Sequence, residues 1–287
     1  MTETTETTDR PPPLLSTIDV GVATLTLNRP AARNALDRSL RSALWQAVAD
    51  AGDDPEVEVV VLTGADPAFC AGVDLRELAG GGALESLAGA DPPEGAAGGA
   101  RDENGLFRYF PLIEKPIIGA INGPAITGGL EVALQCTFLV ASERARFADT
   151  HARVGVMPGG GMTVYLAEAV GFRRAVEMSL TGNFVTADQA YALGLVNHVV
   201  PHDQLLATAQ ALARDIAGND RRGVRRLLRH YRELANTATA DDAHQLEGEM
   251  AESWLAAAGG AAPLSDAQRR TVQARGRAQS SGSSDRR

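Results

Sequence analysis

A glycine-rich turn between a predicted strand and a predicted helix is the first stretch of this 287-residue sequence that could do chemistry. In IIGAINGPAITGGLEVALQC, the apolar run 117–121 predicts a buried strand, and Gly128 and Gly129 open a helix with Glu131 in its first turn. The first N–H groups of a helix have no intrahelical acceptor, and glycine permits close approach to the backbone. Such a turn can hold an oxyanion, with Glu131 as an acid or base at its rim. The alternative is an ordinary helix start, where the helix dipole favours a glutamate.

A second turn of the same kind comes earlier in the chain. The β-branched run 57–63 predicts a strand covered on both faces, and the small residues Ala71 and Gly72 follow it. Two backbone N–H groups that converge on one oxygen would stabilise an enolate or tetrahedral oxyanion, by about 3–4 kcal/mol for each donor. Cys70 lies in the same turn without a neighbouring base or cation, which indicates a buried thiol rather than a nucleophile.

Strands and helices alternate around these turns. The segment 17–27 predicts a hairpin, and leucine and valine at four-residue spacing predict a helix over 35–51 with Asn34 as its N-cap. Further helices are predicted at 106–113 and 162–170. Apolar strands that alternate with amphipathic helices favour an α/β fold with parallel strands, whereas the chain after Gly171 is mainly helical.

Composition narrows the class of protein. The net charge is −9 without a long block of like charge, which argues against a nucleic-acid partner, and two cysteines are too few for a disulfide scaffold. The sequence contains neither an apolar run of membrane-spanning length nor a secretory signal at its start, so we expect a cytoplasmic protein without a membrane partner. We also expect a disordered tail over 1–15 and a flexible tail over 259–287.

Five segments occur in a fixed order: LNRPAARNAL (27–36), VVVLTGADPAFCAGVDL (59–75), KPIIGAINGPAITGGLEVALQC (115–136), FADTHARVGVMPGGG (147–161) and LTGNFVTADQAYALGLVNHVV (180–200). With these motifs, the chain resembles the enoyl-CoA hydratase/isomerase (crotonase) superfamily over about residues 16–255. The resemblance implies a core of ββα turns wound into a spiral over 16–200 and a helical region over 201–258 that forms a homotrimer or homohexamer. It also implies an acyl-CoA thioester substrate, with no separate cofactor and no metal.

The resemblance also implies a set of binding residues. In the family, the thioester carbonyl lies between two backbone N–H groups, which by motif belong here to Ala71 and Gly128. Arg29 and Arg33 correspond to a segment that passes near the CoA nucleotide, where each could pair with a phosphate or instead remain a solvated surface arginine. The residues implied to contact substrate or CoA are Arg29, Arg33, Ala71, Gly72, Val73, Asp74 and Gly128.

The acid and base groups separate the possible reactions. Family hydratases use two glutamates around a water; Glu131 matches the first, and His151 stands at the position of the second. Hydration needs one group to activate water and a proton for the α-carbon, and an imidazole exchanges protons near neutral pH. His151 could therefore be catalytic or merely fill the pocket, and Asp149, two positions earlier on a possible strand, is a weaker candidate.

The resemblance thus implies an enoyl-CoA hydratase that adds water across a 2,3 double bond through an oxyanion-stabilised enolate. Because the second glutamate is replaced, an isomerase, a decarboxylase or a thioester hydrolase that uses Glu131 alone remains an alternative. A non-catalytic protein that binds acyl-CoA is a third possibility.

Overall fold

The computed structural model describes residues 11–74, 100–101 and 107–235, together with the isolated residues 246, 248–249, 253 and 270. Residues 1–10 of the predicted N-terminal tail and most of the predicted C-terminal tail lie outside the described residues. The first strand begins at Leu14, so the last residues of the predicted N-terminal tail belong to a sheet.

Parallel pairing dominates the main sheet, as the sequence predicts. The strands of the described residues are β1 (Leu14–Asp19), β2 (Val22–Leu27), β3 (Val59–Gly64), β4 (Ala100–Arg101), β5 (Phe107–Arg108), β6 (Ile117–Ile121), β7 (Pro124–Ile126), β8 (Phe138–Ser142), β9 (Arg146–Ala148), β10 (Val185–Thr186) and β11 (His198–Val200). Six of them form one sheet in the order β1-β2-β3-β6-β8-β11, while β10, β9 and β7 form a second, three-stranded sheet and β4 pairs with β5. The predicted hairpin is the antiparallel pair β1–β2, and the pairs from β2 to β11 are parallel.

In the described residues the α-helices are α1 (Arg38–Asp53), α2 (Gly128–Leu134), α3 (His151–Val154), α4 (Met162–Val170), α5 (Phe172–Thr181), α6 (Ala187–Leu193), α7 (Leu205–Ala217) and α8 (Arg221–Leu234). Helices α1 and α7 pack on the main sheet. The helix predicted at 162–170 is confirmed. The helix predicted at 106–113 is wrong, because strand β5 and a bend occupy that segment and Pro111 cannot donate a helical hydrogen bond.

Asn34 is not the N-cap of α1. Asp37 has that role, since its side chain accepts from the N–H of Leu40. Asn34 is instead buried with a positive φ of 55°, and its amide nitrogen donates to the carbonyl groups of Ala65 (2.8 Å) and Ala68 (2.7 Å). The residue therefore anchors the turn after β3 rather than starting a helix.

Two hydrophobic clusters lie on either side of the main sheet. Strand β3 is buried along its whole length, because α1 covers one face of the sheet and α7 packs on the other. Strands β3 and β6 are parallel neighbours, so their carboxyl ends lie at the same edge of the sheet. The sheet topology thereby brings together the two turns that the sequence singles out.

The chain divides into a compact unit of residues 1–228 and a second unit of residues 229–287. The part of α8 after residue 228 belongs to the second unit. Among the described residues, no helix has both the length and the apolar character needed to cross a membrane.

Candidate active site

The start of α2 packs directly on the turn after β3. Thr127, with a positive φ of 53°, turns the chain from β7 into the helix. A Cβ added to Gly129 would lie 2.1 Å from the carbonyl oxygen of Cys70, so only glycine permits this approach. The two glycine-containing turns therefore meet backbone to backbone, as the oxyanion hypothesis requires.

The backbone N–H of Ala71 is not available to a ligand. It donates to the carbonyl oxygen of Arg33 over 3.0 Å. The prediction that Ala71 supplies an oxyanion donor is therefore corrected, because a buried N–H already paired within the protein would have to break that bond to bind a substrate.

Val73 provides the alternative donor in the same turn. The N–H of Asp74 donates to Leu36, whereas among the described residues the N–H groups of Val73 and Gly128 have no protein acceptor. A Cβ added to Gly128 would lie 3.5 Å from the nitrogen of Val73, so the two donors are close neighbours. Two adjacent unpaired N–H groups are the arrangement that stabilises an oxyanion.

Glu131 follows in the first turn of α2 and is buried. Its Oε1 accepts from the N–H groups of Gly160 (2.8 Å) and Met162 (3.4 Å), and its Oε2 accepts from the Tyr109 hydroxyl (2.9 Å). Burial raises the pKa of the Glu131 carboxyl, although the charge of His151 and the three hydrogen bonds act in the opposite direction. The result is a buried carboxyl group that can take up a proton more readily than an exposed glutamate.

His151 and Asp149 form a buried pair at the start of α3. Nδ1 of His151 lies 2.6 Å from Oδ1 of Asp149, and the His151 backbone N–H donates to the same oxygen over 3.1 Å. Burial by itself would raise the pKa of Asp149, but hydrogen bonds from His151 and Ser179 leave it below the usual value. Since an ionised carboxylate only accepts, Nδ1 carries a hydrogen in this contact, and Nε2 is the other nitrogen of the imidazole.

A cavity of about 170 Å³ joins these groups. Glu131, His151 and the Tyr109 side chain line its polar part, while Val154, Val156 and Met157 contribute apolar surface. Val73 and Thr127 also line it, so residues of both turns and the acid–base groups face one space. An apolar cavity with a few convergent polar groups is typical of a small-molecule site.

The two predicted phosphate-binding arginines differ. Arg29 pairs with Asp37 (2.9 Å) and Asp74 (3.2 Å) and is largely buried, so its charge is used within the protein, contrary to the expectation for it. The Asp74 carboxylate, which is predicted to contact CoA, is thus paired with Arg29. Arg33 is exposed, so its guanidinium is accessible to an anionic ligand.

The remaining predictions concern cysteine and metal chemistry. Burial raises the pKa of the Cys70 thiol to about 12, which fits the predicted buried thiol rather than a nucleophile. Within residues 11–74 and 107–235, no group of three or more histidine, cysteine, aspartate or glutamate side chains is arranged to hold a metal ion.

Sequence reasoning missed Tyr109 and Gln135. The first lies in a segment for which the sequence predicts a helix, and it belongs to none of the five motifs. Gln135 accepts from the Tyr109 N–H and donates to the Gly160 carbonyl. It lies inside a motif, but nothing in its residue type indicates these partners far along the chain. Their contacts with the site depend on the tertiary structure.

This fold and site define an α/β protein with two apposed backbone turns and a buried acid–base cluster. The chain belongs to the enoyl-CoA hydratase/isomerase family, whose profile matches residues 17–259. The predicted family and the predicted crotonase-like fold are thereby confirmed.

The relatives include proteins from plants and bacteria. The chain is 41% identical over 207 residues to a probable peroxisomal enoyl-CoA hydratase 1 of Arabidopsis thaliana, covering 72% of this chain and 73% of that protein. Among solved structures, an enoyl-CoA hydratase from Mycobacterium tuberculosis H37Rv has 48% identity and a TM-score of 0.68, covering 81% of this chain and 95% of that one. A monofunctional enoyl-CoA isomerase from M. smegmatis has 29% identity and a TM-score of 0.65, covering 82% and 99%.

Proposed function

We propose that the protein is an enoyl-CoA hydratase that adds water across the 2,3 double bond of an acyl-CoA thioester. The observation that carries the proposal is one cavity lined by Glu131, His151 and Val73. Asp149 pairs with this histidine, and in the described part of the chain the unpaired N–H of Gly128 is a close neighbour of the unpaired N–H of Val73. Enoyl-CoA hydratases among the relatives support the reaction. We propose no cofactor, since CoA is part of the substrate.

The thioester oxygen binds between the N–H groups of Val73 and Gly128. As the β-carbon is attacked, electrons move through the double bond onto this oxygen, and the two donors stabilise the enolate by about 3–4 kcal/mol each. This role for Val73 replaces the one predicted for Ala71. Gly72, with a positive φ of 92°, permits the turn that exposes the Val73 N–H, and the same turn lines the pantetheine arm.

Glu131 and His151 move the protons. The Glu131 carboxylate accepts a proton from water while the water oxygen bonds to the β-carbon. The enolate then collapses, and Nε2 of a protonated His151 gives its proton to the α-carbon. The proton held by Glu131 returns to His151 through solvent, so the net change is the addition of one water. Asp149 stabilises the charged imidazole and fixes its orientation.

CoA and subunit contacts extend the proposal. Arg33, which is exposed and whose backbone carbonyl accepts from the Ala71 N–H, pairs with a phosphate of CoA, whereas Arg29 does not. We propose that the protein is cytoplasmic and forms a homotrimer or homohexamer. Large apolar side chains exposed on and beside α5 support the assembly, with Phe172 at 75%, Leu180 at 74% and Phe184 at 53%. Light scattering of the purified protein measures the assembly.

Loss of the ultraviolet absorbance of crotonyl-CoA tests the reaction. We expect hydration by the wild-type protein, near-complete loss in Glu131→Gln, and a large loss in His151→Ala. Hydration that persists in Glu131→Gln would refute the role of Glu131, and unchanged turnover in His151→Ala would refute that of His151. Transfer of a 3,4 double bond without hydration would indicate an isomerase, and binding without turnover would indicate an acyl-CoA-binding protein.

A further inference from the structure

Tyr109 is a buried tyrosine beside the proposed catalytic carboxylate. Only 1% of its surface is exposed, and its hydroxyl lies 2.9 Å from Oε2 of Glu131 at the cavity. A Cβ added to Gly128 would also lie 2.9 Å from this hydroxyl. The phenol is therefore placed between the carboxylate and one end of the proposed oxyanion hole.

Gln135 binds the two segments that donate hydrogen bonds to the Glu131 carboxylate. The Tyr109 backbone N–H donates to Oε1 of Gln135 over 3.1 Å, and Nε2 of Gln135 donates to the Gly160 carbonyl over 2.9 Å. Tyr109 and Gly160 are two of the donors to Glu131, one for each carboxylate oxygen. Gln135 thus links the segments that supply these donors and lies one helical turn after Glu131.

Packing leaves the phenol little freedom to move. Its ring meets that of Phe107 edge to face, with centroids 5.2 Å apart and an interplanar angle of 85°. Gly160 also packs closely, because a Cβ added to it would lie 2.5 Å from the Tyr109 ring and 2.9 Å from the Glu131 carboxyl carbon. The hydroxyl therefore meets the carboxylate in a preorganised geometry.

We propose that Tyr109, held by Gln135, is a positioning residue for hydration, and that its hydroxyl fixes the orientation of the Glu131 carboxylate and favours its ionised form. This inference rests on the proposed role of Glu131 as the group that accepts a proton from water. The reactive oxygen must be presented to water in one geometry, since misplaced groups lose much of the catalytic rate.

The charges around the pair are consistent with this role. Burial raises the pKa of Tyr109 well above its usual value, and the neighbouring Glu131 raises it further, so the phenol keeps its proton and donates. His151 from α3 faces Glu131, while Cys70 from the turn after β3 and Arg41 from α1 act on Tyr109. A donor to the ionised carboxylate lowers the carboxyl pKa, so its removal should raise that pKa.

The Tyr109→Phe variant tests the inference, because phenylalanine keeps the ring and removes only the hydroxyl. With crotonyl-CoA we expect kcat to fall about 10- to 100-fold while KM stays within about threefold. We also expect the acid limb of the kcat/KM profile to move to higher pH. Tyr191→Phe, at an exposed tyrosine on α6, is the matched control and should behave as wild type.

The outcomes separate this inference from the function on which it depends. If Glu131→Gln abolishes hydration but Tyr109→Phe keeps both kcat and the acid limb, the positioning role is wrong and the proposed function stands. A fall in melting temperature and kcat with an unmoved acid limb would also overturn it, because that pattern indicates a structural role alone. Hydration retained in Glu131→Gln would instead refute the role of Glu131 on which the inference rests, and a wild-type protein that does not hydrate crotonyl-CoA would refute the proposed function.

A second variant avoids any change to the two groups themselves. Gln135→Met keeps a similar side-chain volume but removes both bridging hydrogen bonds, so the acid limb should again move to higher pH, by less than in Tyr109→Phe. An acid limb at the wild-type position in a folded Gln135→Met would refute the role of Gln135.

Discussion

Nδ1 of His151 and Oδ1 of Asp149 are 2.6 Å apart in a site where both side chains are buried. The carboxylate can therefore orient the imidazole and compensate a positive charge on it. We propose that this pair takes the place of the second glutamate, which the resemblance implies at the position of His151.

The Asp149→Asn variant should keep the side-chain volume and lose the charge. We expect kcat for crotonyl-CoA to fall about 10- to 100-fold with little change in KM, because the protonated imidazole is less stabilised and less well oriented. Steady-state kinetics measures this change. Asp203→Asn, at an exposed aspartate, is the control, and an unaltered kcat in Asp149→Asn would show that the carboxylate has no part in proton transfer.

Glu131→Gln should stabilise the protein while it removes activity. The folded-state pKa of Glu131 is raised, so the folded protein binds more protons than the unfolded chain between the two pKa values, and wild-type stability falls as pH rises through that window. Glutamine has no charge to bury, so it does not lose stability in this way. Its amide can still pair with the Gly160 N–H and the Tyr109 hydroxyl. Thermal unfolding at neutral pH should show a higher melting temperature for the variant, with the difference shrinking toward acid pH. A lower melting temperature would contradict this expectation.

Gly129→Ala should separate the two turns that meet at the start of α2. The added Cβ would clash with the Cys70 carbonyl, so the Val73 and Gly128 N–H groups should no longer converge on one oxygen. We expect at least a 100-fold loss of kcat together with a lower melting temperature. Gly223→Ala within α8 meets only the Asp220 side chain and should leave activity unchanged. Near-normal hydration by Gly129→Ala would exclude the proposed oxyanion hole.

His202 connects the turn after β3 to the end of β8. Its Nδ1 lies 3.0 Å from the Ser142 hydroxyl and its Nε2 lies 3.1 Å from the Asp66 carboxylate. Burial would raise the pKa of Asp66, but hydrogen bonds with Asn122 and His202 leave it lower than usual. A depressed carboxyl pKa contributes stability above the unfolded-state pKa and loses it as pH falls through the folded-state pKa.

Asp66→Asn should therefore be slightly less stable than wild type at neutral pH, and the two should converge in acid. The difference should be below about 1 kcal/mol, because the Asp66 side chain is 62% exposed and solvent screens its charge. Urea unfolding at several pH values measures it. A difference that grows as pH falls would contradict the assignment.

Local patterns predict the strands of the main sheet because the spacing of apolar residues is a local property of the sequence. The parallel strands and the helix at 162–170 follow from such patterns, and Glu131 follows from its place at a glycine-rich helix start. Asn34 shows where local patterns fail. Asparagine is favoured both as an N-cap and as a buried residue that anchors a turn, so its residue type does not separate the two roles. Asp37 could replace it as the cap because both residues precede the same apolar stripe.

The sequence could not predict which backbone N–H groups of the site are hydrogen-bonded within the protein. The carbonyl groups of Arg33 and Leu36 accept from the N–H groups of Ala71 and Asp74, which leaves the Val73 N–H unpaired among the described residues. The spacing of residues in the sequence does not show this arrangement. Arg29 is similar: its residue type suits a phosphate, but the fold gives it two aspartates as partners. Such outcomes depend on contacts between residues far apart in the chain.

Glu131 and Gln135 belong to one short helix and its C-cap. The proposed proton acceptor and the glutamine proposed to hold Tyr109 therefore lie on the same short element. A small shift of α2 within the core would carry both together and preserve the geometry between them. Their partners Tyr109 and Gly160 lie on other segments, so the geometry of the Glu131 carboxylate depends on how α2 packs against those two segments.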